Sequence, residues 1–164
     1  MKEYFIVQNH ALGALSLYHF TKSYYDAKEK EGLPFPLALL VLPIIFNEKC
    51  YQSIGDVKRV TGRISMLNVL AEHRDIPVGL QRRVVEMSSQ SFKSINLSFA
   101  QGLLVYDSEE KKLLPGRYLR IPSSNSNDNQ KIFHAAKILG KWFAYNSIEQ
   151  ICIALNVNFN FNEL

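Results

Sequence analysis

Four histidines, two cysteines and one adjacent pair of glutamates are the residues of this 164-residue chain best suited to chemistry. His10 and His19 lie on one expected helix, nine positions apart. That is about two and a half turns, so the imidazoles point to different sides and do not make a metal pair. His73 stands apart. Cys152 and His134 have the composition of a nucleophile with its base. The thiol, however, falls on the apolar stripe of its helix, where burial raises its pKa and makes it inert. Glu109-Glu110 looks like paired acids, but Lys111-Lys112 follows directly, which is the composition of a solvated turn. Phosphate-cradling GxxxxGKS/T, the GxSxG elbow and HExxH do not occur. No catalytic residue, cofactor or metal site is assigned.

Charge is the next source of function. The chain has 19 Lys and Arg against 15 Asp and Glu, a net charge of +4. Residues 1–48 are near neutral, while 49–93 hold eight basic and four acidic groups and 107–141 hold seven and four. Arg82, Arg83, Lys93, Lys111, Lys112, Arg117 and Arg120 surround one expected helix and hairpin. They are the candidate contacts to DNA phosphates. The exposed face of that helix, Gln90, Lys93, Ser94 and Gln101, offers one cation. A sequence-reading helix usually carries more Arg, Asn or Gln at base-contacting positions. Protein binding is therefore the leading reading, and a free-standing winged-helix DNA-binding protein the alternative.

Cys50 and Cys152 are too few for a secreted disulfide scaffold. The longest apolar run, Leu37–Phe46, is half the length needed to span a bilayer. No signal peptide is evident. A cytoplasmic protein with no membrane partner is expected.

The elements that must position these residues form one mainly α domain over 1–164, a compact helical unit with a winged-helix-like β-hairpin at about 103–114. Apolar residues are 47% of the chain, enough for a single core. Glu3–Val7 leans to strand. Asn9 caps a helix over His10–Glu31, closed by Gly32. Leu33–Phe46 reads as a wholly buried helix broken near Pro43, with a buried strand as the alternative, and 47–61 as a loop with at most a short turn. Gly62–Arg74 follows as a helix with Ile64, Leu67, Val69 and Leu70 inward. A short helix with Leu80 and Val84 comes next, and Ser88-Ser89 separates it from a helix with Phe92, Ile95 and Phe99 on its inner face. Residues 123–129 predict a flexible polar loop, with Asp128 capping a helix over Gln130–Asn146. Ser147 and Gln150 predict a capping box. The tail, 158–164, is expected to dock as an extended segment or on a partner's sheet edge.

The first long helix and the helix after residue 130 are apolar on two sides. They imply apolar surface that the isolated chain cannot cover, and hence an obligate protein partner. Tyr18, Tyr24, Trp142, Phe159 and Phe161 are the candidate interface, although core filler is the leading reading of Trp142.

Four segments together carry a family resemblance. They are Asn9–Ala14 with Tyr18 and Phe20, Pro34–Leu37 through Pro43–Ile45, Phe99–Leu104 leading into the hairpin, and Ala135–Ala144 continued by Ile151–Val157. In that order they resemble the small middle component of bacterial three-component ABC systems. That group includes the small accessory subunit of Lamassu-type defence systems. The resemblance implies a non-enzymatic scaffold beside an SMC-like coiled-coil ATPase and an effector subunit, commonly a nuclease. The effector would be restrained until foreign DNA is sensed, which blocks phage or plasmids.

Overall fold

A computed structural model of the chain describes residues 2–57, 63–74, 76–116 and 126–159. Helix α1 (Lys2–Ala27) and helix α7 (Asn127–Ala144) pack against each other as the main axis of the core. Each also packs on a further helix, Lys2–Ala27 on Ser88–Ala100 and Asn127–Ala144 on Glu48–Gly55, which explains why both are apolar on more than one side. Leu17, Phe20 and Tyr24 of α1 and Ile138, Trp142 and Phe143 of α7 are all buried. Phe20 and Phe143 meet edge to face with centroids 5.2 Å apart. Ser23 Oγ adds a hydrogen bond to the Lys137 carbonyl at 2.6 Å.

Residues 3–7 lie within α1 rather than in a strand. The β preference of five residues is weak, and extending a helix that has already nucleated costs little. Asn9 is therefore interior, not a cap. At the other end the helix stops at Ala27, and Glu29 and Lys30 take left-handed conformations (φ 56° and 69°), so the reversal precedes Gly32.

A two-residue strand, β1 (Leu33–Pro34), leads into α2 (Phe35–Ile45), whose residues Leu37–Ile45 are all buried. Pro36 occupies the first turn, where its missing N–H costs nothing. Pro43 lies inside α2 and has no N–H to give the Leu39 carbonyl, and the helix ends two residues later. Among the described residues no single helix is long and apolar enough to cross a membrane. Helix α2 passes such a test only together with the helix that follows it, Glu48–Gly55, across a 100° bend.

The segment expected as a loop contains α3 (Glu48–Gly55). Asn47 caps it by accepting from the Cys50 N–H at 3.2 Å, and Cys50 and Ile54 face inward. Helix α4 (Arg63–Glu72) buries Met66 and Val69 and leaves Leu67 outward. Helices α5 (Leu80–Glu86) and α6 (Ser88–Ala100) follow with one residue between them. Strands β2 (Leu104–Asp107) and β3 (Lys112–Pro115) form the hairpin, and β1 adds to it in the antiparallel order β1-β3-β2.

Helix α7 begins earlier than expected. Ser126, not Asp128, is its cap, and residues 126–129 of the expected polar loop are its cap and first turn. Residues 123–125 lie outside the described residues. Helix α8 (Ile148–Leu155) carries the reciprocal capping box of Ser147 and Gln150. The chain then runs extended. Gln81 and Asn158 exchange two hydrogen bonds, from Asn158 N–H to Oε1 at 2.8 Å and from Nε2 to the Asn158 carbonyl at 3.1 Å. The first tail residues thus dock on this chain's own α5.

Candidate functional site

The geometry separates the sequence candidates sharply. Arg83 is the clearest case. Its Nε donates to the Pro43 carbonyl at 3.2 Å, Nη1 to Val78 at 3.2 Å and Nη2 to Ile76 at 3.3 Å. The guanidinium therefore closes the end of α2 and orders the turn before α5, where a cation also suits the helix dipole. It is engaged inside the fold, not presented to a phosphate. Arg82 points out and pairs with Glu86 at 2.7 Å, an exposed pair of small energetic worth.

Lys93 and Lys111 are exposed, and Lys112 is half-buried. They do not form a basic face. Asp107 accepts from the Glu109 and Glu110 N–H groups at 3.0 and 3.2 Å, so the hairpin turn holds three acids beside two lysines. Residues 88–116 contain three basic and three acidic residues and carry no net charge. Arg117 and Arg120 lie outside the described residues.

The interface candidates are corrected in two places. Tyr24 is 4% exposed and Trp142 is 1% exposed, so both are core and neither lies on the surface of this chain. The apolar faces of α1 and α7 cover each other, and the surplus read from them does not exist there. Tyr18 is half-buried. Phe159 packs partly buried against the core, and Phe161 lies outside the described residues.

Helix α6 is turned relative to its expected orientation. Ile95 is buried as anticipated, but Phe92 is 45% exposed and Phe99 is only half-buried. The buried face is instead Ser91, Ser94 and Ser98, packed on Gly13 and Ala14 of α1. Small residues let these two helices approach closely, and large side chains are displaced to the other side. There Phe92 stacks on Phe35 at 6.2 Å, Phe35 meets Tyr106 at 5.9 Å, and Phe99 lies 6.4 Å from Tyr106. An outward aromatic cluster thus joins α2, α6 and β2. The signal was present in the serine spacing i, i+3, i+7, which a purely hydrophobic count passes over.

The remaining chemistry is dispersed. His19 is wedged on Phe133 at 4.8 Å, and burial, with Lys137 nearby, holds its pKa down at about 4. Among the described residues no three metal-ligating side chains come together. Burial pushes the Cys152 thiol upward, helped by Glu149, which disfavours the thiolate. His134 instead lines a cleft of about 300 Å³ between α3 and α7, with Tyr51, Gln52, Gly55, Asp56 and Lys131. A smaller groove of about 140 Å³ runs between α4 and α8 and includes the exposed Leu67 and Ile153.

A neutral surface with an aromatic centre is the character of a protein contact, not of a phosphate track. Comparison with known proteins points the same way. The family model described as "ABC-three component (ABC-3C) system Middle Component 3" matches residues 1–159. No curated protein and no solved structure matches the chain. With nearly the whole chain covered, the protein belongs to the Middle Component 3 family of ABC-three component systems.

Proposed function

We propose that this chain is the non-enzymatic accessory subunit of an SMC-like ATPase complex of the Lamassu type, acting against phage or plasmids. It binds a coiled-coil ATPase and an effector nuclease, bridges them, and restrains the effector until foreign DNA is sensed. Release of the effector then permits DNA cleavage. The observation that carries this reading is the family match over residues 1–159, because a middle component works with the other components of its system. The dispersed histidines and the disfavoured thiolate of Cys152 are in keeping with a scaffold. The order α5, α6, β2, β3, with β1 completing the sheet, supports a winged-helix description of the middle of the chain. Its neutral charge favours a winged helix that meets protein over one that grips DNA directly.

The test is co-expression with the proteins encoded beside it. A stable complex containing an ATPase, and loss of phage or plasmid restriction when this subunit is deleted, is the expected outcome. Full restriction without it, or a chain that joins no neighbouring component, overturns the proposal.

A further inference from the structure

Helix α7 is covered by this chain on every side but one. From Lys131 to Ala144 the exposed residues are Lys131, His134, Lys137 and Lys141, and all the others are buried. Intervals of three, three and four residues keep these side chains on one stripe of the helix. All are basic. At one end of the stripe Lys131 and His134 line the cleft against α3, with Tyr51, Gln52 and Asp56 on its far wall. Further along, the stripe borders α1. There Ser23 Oγ donates to the Lys137 carbonyl, and the Lys137 charge disfavours protonation of His19. The stripe is thus the floor of a furrow between α1 and α3.

An exposed helix stripe ordinarily alternates charges that pair at i, i+4. This chain does so elsewhere. Lys22 and Lys30 both hold Asp26 on α1, and Arg82 holds Glu86 on α5. On α7 no carboxylate follows Asp128, and among the described residues none of the three lysines makes an ion pair. Lys137 and Lys141, four apart, repel each other. The walls of the furrow do not share the excess. Residues 8–31 hold three Lys and three Asp or Glu, and residues 47–57 one Lys and two Asp or Glu. A row of like charge is therefore kept on the most enclosed helix of the fold, at a cost that only an opposite charge from outside relieves.

We infer that the α7 stripe docks an acidic helix of another component of the system, one with carboxylates three and four residues apart. That such a component binds rests on the accessory-subunit reading above. The charge of the row sets the sign of the partner, and its spacing sets the shape. Lys131, His134, Lys137 and Lys141 rise in steps of about 4.5, 4.5 and 6 Å along the axis. Carboxylates three and four apart on a helix lying lengthwise in the furrow rise by the same steps. Same-face residues of an extended strand recur every ~6.6 Å and fall out of step. A nucleic-acid duplex fits less well. The cations are few, and Asp56, Glu48 and Asp128 stand at the cleft end, the last two acting on the Tyr51 hydroxyl, where they repel a wide polyanion.

Carbodiimide coupling joins a lysine amine directly to a carboxylate as an amide, the reagent taking up the water lost. Applied to the full chain co-purified with the components encoded beside it, it is expected to join Lys137 and Lys141 to carboxylates of another component, three or four residues apart. Lys137→Glu with Lys141→Glu is expected to weaken binding of that component at least tenfold. Lys137→Arg with Lys141→Arg, which keeps the charge, should leave it unchanged. Should the reversed variant fail to melt like the parent, Lys137→Gln with Lys141→Gln replaces it, with an expected loss of at least threefold. Lysines that stay uncoupled in a formed complex, or equal affinities across the variants, overturn the inference and leave the accessory role standing. Failure of any complex to form defeats both. Coupling between two copies of this chain assigns the stripe to self-association and overturns the inference. So does a reversed variant that keeps its partners and loses only retention of duplex DNA.

Discussion

Gly140 of α7 lies directly against the backbone carbonyl of Phe20 in α1, and a β-carbon at position 140 would overlap that oxygen. The two longest helices therefore touch backbone to backbone at this point. In an exposed helix, Gly→Ala gains about 1 kcal/mol. Here Gly140→Ala is expected to cost about 1–3 kcal/mol, because the helices must move apart. Urea denaturation decides the sign, and a gain would contradict the close crossing.

Arg83 gives a second prediction. Three carbonyls from two separate segments depend on its guanidinium. Arg83→Ala is expected to lose about 1–3 kcal/mol, since charge-assisted bonds are removed and the part-buried Pro43 and Ile76 carbonyls lose their donor. Arg83→Lys keeps the charge but not the planar fork, and should recover little of the loss. A denaturation midpoint that stays in place would point back to a surface role.

Ser91 and Ser94 are fully buried, and their hydroxyls have no hydrogen-bond partner among the described residues. Removing an unpaired buried hydroxyl relieves its desolvation cost. Ser94→Ala is expected to raise stability by about 1 kcal/mol. Ser94→Leu should do the reverse, because Gly13 and Leu42 leave no room for it. Thermal melts of the two variants check both directions.

His19 predicts a pH dependence. Its pKa in the folded chain, about 4, lies below the ordinary 6.5, through burial first and Lys137 second. A lowered value means that the unfolded chain binds the proton more readily. The stability contributed by the neutral ring is complete above about pH 6.5 and declines as pH falls through 4. His19→Phe should flatten that part of the stability curve, and NMR titration of the imidazole should place its midpoint well below 6.5. An ordinary midpoint would falsify the placement on Phe133.

Much of the architecture was legible in the sequence. The buried α2, the existence of a break between α5 and α6, the hairpin and the capping box at Ser147 all follow from local chemistry that tertiary context left alone, although the break falls at Met87 and Ser88-Ser89 opens α6 instead of separating the two helices. The errors arose where packing overrode pattern. Residues 3–7 joined α1 despite their β preference. Asn47 is a sound cap signal, and Cys50 and Ile54 recur at helical spacing, but a run of eight residues with Gly55 at its end reads as loop chemistry. The aromatic cluster is not legible, because Phe92 and Phe99 at helical spacing read as core, whereas close contact between α1 and α6 requires the serines inside. Strand β1 was unreadable because two residues pair only once the hairpin exists. Tyr24 and Trp142 were placed on an interface because a two-faced helix has the same pattern whether a partner or the chain itself covers it.

The crossing of α1 with α7 also orders events at birth. Phe20 must wait for Phe143, about 120 residues downstream, before its ring is covered. At ordinary elongation rates of roughly 5–20 residues per second that is about 6–25 seconds, during which the nascent first helix presents its greasiest side to water or to a chaperone.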